Sequence, residues 1–217
     1  MDISDPWYAN LAEKYGQDFA YQAGYFEETR PFLGSYFETF PELQNAQGCV
    51  LVFSGAFFPF HEGHRSVVDG AIATRIALGH PAESIFVVIH MDHSEYRHSK
   101  GSYDEQRAVE SISEHMDGLN WILIQEDKMP MGCSRNFTRL YSEIAHHNPG
   151  TTTFISGGDR ANFALAFLDK GNVVIVGRDT SEMFQKHTYL TGIFPRIMFR
   201  GGNLPLSSSE IRSNSTQ

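Results

Sequence analysis

Residues 49–64 read CVLVFSGAFFPFHEGH and decide the fold class. The run from Cys49 to Phe53 is short and continuously apolar, which is typical of a strand covered on both faces. A turn that contains glycine follows it, and the segment 63–78 then reads as a helix. A buried strand that leads through a short turn into a helix is the first half of a βαβ unit. The stretch therefore predicts an α/β fold built on parallel strands.

The same alternation continues along the chain. Runs typical of strands occupy 49–53, 85–89, 121–124, 153–156 and 173–176. Helix-like segments occupy 63–78, 103–116, 135–147 and 159–169. Gly79 predicts the end of the first helix, and Ser102 with Glu105 has capping-box spacing at the start of the second. We predict a Rossmann-like open parallel sheet of about five strands, flanked by helices.

Composition and charge exclude several classes of protein. The chain has 217 residues, 41% of them hydrophobic, and a net charge of −9, which disfavours a disordered chain and a broadly basic nucleic-acid-binding surface. No apolar run approaches the roughly 20 residues that cross a bilayer, and the start MDISDPWY lacks the apolar core of a secretory signal. Cys49 and Cys133 are too few for a disulfide framework. We expect a cytoplasmic protein without nucleic-acid or membrane partners, and a homo-oligomer is compatible with the sequence.

The first 47 residues differ from the rest of the chain. They carry eight acidic and two basic residues and 11 of the 28 aromatic residues. Helical spacing of apolar residues over 6–29 predicts one or two helices there. We therefore divide the chain into a helical, acidic and aromatic extension over 1–47 and a main domain over 48–217. The extension could serve as an interaction arm, an oligomer contact or a cover over a binding site.

The turn from Ser54 to His64 carries the clearest chemical signal. It follows the carboxyl end of a predicted strand, which is where ligands bind in open α/β sheets. Gly55 allows close approach of a ligand to the backbone, and the start of the next helix offers free N–H groups and a positive dipole end to a phosphate. His61 and His64 are three residues apart and can face the same side of the first turn. Zinc binding is the alternative, with a third ligand supplied by His90, His93 or His98.

The segment SGAFFPFHEGH resembles the (G/S)-G-x-F-x-P-x-H-x-G-H signature of the nucleotidyltransferase superfamily that shares the HIGH motif. Other segments resemble elements of the same enzymes in the same order: Lys100–Arg107, Thr138–Leu140, Phe154–Asp159, Val174–Arg178 and Leu206–Arg212. The resemblance covers about residues 49–212 and is greatest to the nicotinamide and nicotinate mononucleotide adenylyltransferases of NAD biosynthesis. Ser207 and Glu210 also have capping-box spacing, which predicts a helix start and a second phosphate cradle.

The resemblance implies a specific reaction. AMP is transferred in line from ATP to a phosphorylated small acceptor, pyrophosphate leaves, and Mg²⁺ is carried with ATP. The catalytic residues implied are His61, His64, Lys100, Arg107 and Arg212. The nucleotide-binding residues implied are Ser54, Gly55, Ala56, Phe57, His61, His64, Gly157, Asp159, Arg178, Ser207, Ser208, Ser209 and Arg212.

The acceptor site departs from the family pattern at Phe58, where Asp or Asn is usual. Phenylalanine cannot donate or accept a hydrogen bond there, but it can stack on a ring, and so can Trp121. We therefore predict that Phe58 and Trp121 bind the acceptor, with core packing as the alternative for Trp121. Two other functions stay open: a non-catalytic nucleotide-binding or regulatory protein on the same scaffold, and an adenylyl- or cytidylyltransferase for another phosphorylated acceptor.

Overall fold

The computed structural model describes residues 35–55, 57–91, 104–125, 137–157, 172–177 and 197–201. Its strands are β1 Cys49–Gly55, β2 Ile85–Met91, β3 Trp121–Gln125, β4 Thr153–Gly157, β5 Asn172–Gly177 and β6 Ile197–Gly201. Its α-helices are α1 Tyr36–Thr39, α2 Glu62–Ala77, α3 Glu105–His115 and α4 Phe137–His147. Short 3₁₀ helices occupy Pro41–Asn45 and Ala82–Ser84. The predicted helices over 6–29 and 159–169 lie outside the described residues.

The strands form one parallel sheet in the order β3-β2-β1-β4-β5-β6. This is the strand order of the Rossmann fold, in which the direction of strand addition reverses between β1 and β4. The predicted α/β class, with a parallel sheet flanked by helices, is confirmed, and β1 to β4 agree with the predicted runs to within two residues. The strand β6 was not predicted, because its segment IMFRG has no continuous apolar run.

Helices cover both faces of the sheet. Leu51 and Phe53 of β1 lie on the face that packs against Val68 of α2 and Ile112 of α3, and all four are buried in one cluster. On the opposite face, the ring of Phe154 in β4 meets a tyrosine ring of α4 at a centroid distance of 6.2 Å. Within the described part of the chain, no helix combines the length and the apolar character needed to cross a membrane.

Two of the sequence predictions concern helix ends, namely the end of α2 and the start of α3. Gly79 adopts a φ of 92°, and the amides of Gly79 and His80 donate to the carbonyls of Ile76 and Arg75, so the predicted glycine stop after α2 is confirmed. The predicted capping box of Ser102 is wrong for α3, which begins at Glu105. Its cap is Asp104, whose carboxylate accepts from the amide of Arg107 at 3.0 Å.

Residues 35–47, the described part of the predicted extension, pack against the main domain. Ser35 Oγ and the amide of Tyr36 both donate to the Glu143 carboxylate of α4, each at 2.8 Å. Tyr36 and Leu43 are fully buried. This contact anchors the chain before β1 to the face of the sheet that α4 covers.

Candidate functional site

The candidate site lies at the carboxyl edge of the sheet, where β1 ends at Gly55 and α2 begins at Glu62. The neighbour of β1 on one side is β2 and on the other is β4, so this edge includes the point where strand order reverses. Open α/β sheets bind ligands in the crevice outside such a point. The connection from 57 to 61 therefore occupies the position that the sequence pattern indicated.

The structure brings His61 and His64 together. Their ring centroids are 3.9 Å apart, and His61 is only 5% exposed. His61 is the N-cap of α2, and its Nδ1 accepts from the amide of Gly63 at 3.0 Å. Because Nδ1 is an acceptor, a neutral His61 carries its proton on Nε2. The pair thus has the close spacing predicted from the sequence, with an N–H donor on the ring of His61.

The backbone at the start of α2 differs from the expectation of free N–H groups. The amide of Gly63 donates to His61 Nδ1, and the amide of His64 donates to the His61 carbonyl at 2.8 Å. His61 therefore satisfies two of the groups that an uncapped helix would offer to an anion. An anion at this end would meet the imidazoles and the positive end of the helix dipole.

Buried aromatic side chains pack against the histidine pair on its core side. The Phe57 ring is 3% exposed and lies edge-on to His64 at a centroid distance of 5.3 Å. Phe57 has a φ of 47°, which is unfavourable for a bulky residue, so surrounding contacts hold it in place. A Cβ on Gly55 would lie 3.0 Å from this ring. The absence of a side chain at Gly55 thus makes room for Phe57.

Phe58, predicted to stack on the acceptor, is instead 8% exposed and belongs to the buried cluster beneath α2 and α3. Two adjacent aromatic residues, Phe57 and Phe58, are thus both packed inside. The apolar character of Phe58 is accounted for by this burial. The structure gives no support to an exposed stacking surface at this position.

Ser54 and His90 form a second polar pair at the same edge. They are in register on β1 and β2, and Ser54 Oγ lies 2.8 Å from His90 Nδ1. Their side chains lie on the face of the sheet opposite α2, since Phe53 and Ile89 next to them face α2. His90, named from the sequence only as a metal ligand, is 1% exposed. The described residues contain no group of three His, Cys, Asp or Glu side chains that could hold a metal, and His93 and His98 lie outside them.

The beginning of α3 reaches this edge as well. Glu105 accepts from the side chain of Gln125, the last residue of β3, at 2.8 Å. Arg107, predicted to neutralise phosphate charge, lies in the first turn of α3 and is exposed. Ser111, one helical turn later, accepts from the amide of Phe60 at 3.0 Å. Ser111 has no motif that marks it in the sequence, although its spacing of four residues from Arg107 puts both residues on one side of the helix.

Trp121 lies away from these residues. It is the first residue of β3, whereas the carboxyl edge is reached at Gln125, about 13 Å further along the strand. Its partly buried side chain packs against the core and lines a cavity of about 620 Å³ beside α1 and the following 3₁₀ helix. Core packing, the alternative raised from the sequence, therefore fits Trp121 better than contact with an acceptor at the other edge.

The remaining predicted residues cannot be placed in the same detail. Gly157 ends β4 at the carboxyl edge of the sheet. The others lie outside the described residues: Ala56, Lys100, Asp159, Arg178, Ser207, Ser208, Ser209 and Arg212. No protein-family model matches the chain, and no curated protein matches it.

Proposed function

We propose that the protein is a nucleotidyltransferase that transfers AMP from ATP to a phosphorylated small acceptor and releases pyrophosphate. The observation that carries this proposal is the His61–His64 pair at the start of α2, with ring centroids 3.9 Å apart, next to the reversal point of a parallel sheet. Imidazole N–H groups at a helix N-terminus can donate hydrogen bonds to phosphate oxygens. The surrounding segment SGAFFPFHEGH resembles the HIGH-motif signature.

The proposed chemistry needs no protein nucleophile. A phosphate on the acceptor attacks the α-phosphorus of ATP, the new P–O bond forms, and the bond to pyrophosphate breaks. The attacking phosphate is already anionic, so no general base is required. Catalysis then consists of holding the reactants in line and stabilising the charge that develops on the phosphates. Mg²⁺ is proposed to arrive with ATP and to keep most of its waters.

Each residue of the proposed site has a defined role. His61 and His64 contact the nucleotide phosphates, and His64 lies nearest the α-phosphate in the transition state. Arg107, together with Lys100, neutralises charge on the phosphates. The proposed cradle for the β- and γ-phosphates is formed by Ser208, Ser209 and Arg212.

Nicotinamide or nicotinate mononucleotide is the favoured acceptor. The support for this choice is the resemblance of the Gly-Gly-Asp turn at 157–159 and of the segment LSSSEIR at 206–212 to the mononucleotide adenylyltransferases. Phe58 and Trp121 do not add to it, because one is packed in the core and the other lies at the opposite end of β3. The acceptor is therefore proposed to contact other side chains.

A non-catalytic nucleotide-binding protein is the second candidate. The observation that favours it is that His61 satisfies the amides of Gly63 and His64, which reduces the number of backbone donors for a phosphate. Such a protein would still bind ATP through the imidazoles. It would lack the arrangement that accelerates transfer.

The two candidates are separated by an assay of pyrophosphate release. Purified protein is incubated with Mg²⁺, with ATP or CTP, and with a panel of phosphorylated acceptors that includes both mononucleotides. The proposal expects pyrophosphate and a dinucleotide product with ATP and one of the mononucleotides. ATP binding by calorimetry without turnover on any acceptor would instead establish the binding protein. Protein carrying His64→Ala, purified in the same way, controls for contaminating enzymes.

A further inference from the structure

The connection that carries the histidines is tied to α3 by one backbone hydrogen bond. The amide of Phe60, the residue before His61, donates to Ser111 Oγ at 3.0 Å. The same hydroxyl donates its proton to the carbonyl of Ala108 at 2.8 Å. Because a hydroxyl has only one proton, this second bond orients the oxygen lone pairs towards Phe60. Ser111 is thus a fixed acceptor for the backbone next to His61.

The ring of Phe60 also packs beside the second histidine, His64. It is 1% exposed, and its centroid lies 5.1 Å from the ring of His64 and 5.8 Å from that of His115. Arg65, the residue after His64, donates to the carbonyls of His115 and Asp117 at the end of α3. The histidine pair is therefore flanked on both sides by residues that are bonded to α3.

We propose that Ser111 is a positioning residue for the His61–His64 pair, an inference that rests on the proposed nucleotidyl transfer. Without the hydroxyl, the buried amide of Phe60 has no acceptor on α3, and the connection can shift or tilt. In-line transfer is sensitive to such a shift, because a displacement of about 1 Å can lower a rate by about 100-fold. Ser111 and Arg107 lie one turn apart on the same side of α3. The same helix therefore positions both the histidine pair and a proposed phosphate ligand at the carboxyl edge of the sheet.

The test compares three variants of the full chain. Ser111→Ala removes the acceptor, and Ser111→Thr keeps a hydroxyl at the same place. Ser113→Ala is the matched control, because Ser113 lies on the same helix and is exposed, and among the described residues its hydroxyl bonds only to the Val109 carbonyl of its own helix. The measurements are kcat, the KM for ATP, the thermal midpoint, and amide hydrogen exchange at Phe60 and Gly63.

We expect Ser111→Ala to lower kcat by about 10- to 100-fold. The KM for ATP should change little. The thermal midpoint should fall by only a few degrees, because one amide loses its acceptor, and exchange should accelerate at Phe60 and Gly63. Ser111→Thr should recover most of the lost kcat, and Ser113→Ala should match the wild type in every measurement. A kcat within twofold of wild type for Ser111→Ala would overturn the inference. So would an equal loss in Ser113→Ala, or a loss of kcat that disappears when the wild type and Ser111→Ala are both assayed well below their thermal midpoints.

Failure of the proposed function gives a different result. If the wild-type protein turns over no acceptor, the transferase proposal fails on its own measurement. Amide hydrogen exchange still tests whether Ser111 positions the connection. Ser111→Ala should then accelerate exchange at the amides of Phe60 and Gly63, while the amides of β1 stay protected. Unchanged exchange at both amides would overturn the positioning role whether or not the protein is an enzyme.

Discussion

At the carboxyl edge of the sheet, α2 begins with the imidazoles of His61 and His64, whereas at the amino edge the last turn of the same helix carries a buried cation, Arg75. Arg75 is 4% exposed, and its guanidinium donates to Cys49 Sγ at 3.2 Å and to His80 Nε2 at 2.8 Å. His61 and His64 lie where the connection from β1 enters α2, whereas Arg75 is enclosed by β1 and the end of α2. The difference indicates that substitutions at the carboxyl edge should alter activity and those at the amino edge should alter stability.

The largest effect is expected at the carboxyl edge. His64→Ala removes a donor that is proposed to stabilise charge at the α-phosphate, so kcat/KM should fall by about 10²- to 10³-fold. The measurement is pyrophosphate release, with thermal unfolding to show that the variant folds. His146→Ala, an exposed histidine at the end of α4, is the control and should keep wild-type turnover. Near wild-type turnover of His64→Ala would remove this residue from the proposed mechanism.

Asn148 provides a test of stability at the amino edge of the sheet. Its side chain is 7% exposed and donates to the carbonyls of Ala46 and Ile144 at 2.9 and 3.2 Å, which joins the segment before β1 to the end of α4. Asn148→Ala should lower the free energy of unfolding by about 2 kcal/mol, because the buried Ala46 carbonyl loses its donor. Chemical denaturation measures this. Asn120→Ala, at an exposed asparagine, should change stability by less than about 0.5 kcal/mol. Equal effects of the two variants would contradict the prediction.

Two adjacent threonines make a smaller test at the same edge. Thr153 Oγ1 is buried without a hydrogen-bond partner among the described residues, so Thr153→Val should raise the free energy of unfolding by about 1 kcal/mol. Thr152 Oγ1 instead lies within hydrogen-bond distance of two carbonyl acceptors, those of Asn148 at 3.2 Å and Ile144 at 3.4 Å, so Thr152→Val should be destabilising. Thermal unfolding distinguishes the signs. A destabilised Thr153→Val would show that its hydroxyl does find a partner.

The smallest expected effect is a pH dependence from His80. Burial and the neighbouring Arg75 guanidinium lower the pKa of His80 from its ordinary value of 6.5. The unfolded chain therefore binds a proton more readily, so this contribution to stability is complete above pH 6.5 and declines as the pH falls towards the lowered pKa.

The experiment for His80 is a comparison of two pH profiles. Thermal midpoints of the wild type and of His80→Gln are measured from above pH 6.5 down into the acid range. Glutamine keeps an acceptor for Arg75 but does not titrate, so the wild type should lose more stability than the variant as the pH falls. Parallel profiles for the two proteins would show that His80 does not contribute. Turnover above that range should be the same for both, because His80 lies at the edge opposite the histidine pair.

Much of the fold could be predicted because its signals are local. Strand-like apolar runs located β1 to β4, and Gly79 located the end of α2. The order of the strands in the sheet could not be predicted this way, since it depends on how each crossover packs. The β6 strand was missed because its residues have no continuous apolar pattern.

The sequence by itself determined the α/β class and the meeting of His61 with His64, because both follow from residues close together in the chain. Only the tertiary structure decided that Phe58 packs in the core, that Trp121 lies at the opposite edge, and that the helix start is already capped by His61. It alone revealed Ser111, since the hydrogen bond to Phe60 spans 51 residues of sequence. Local periodicity carries no information about contacts over such a distance, which depend on the packing of α2 and α3 on one face of the sheet.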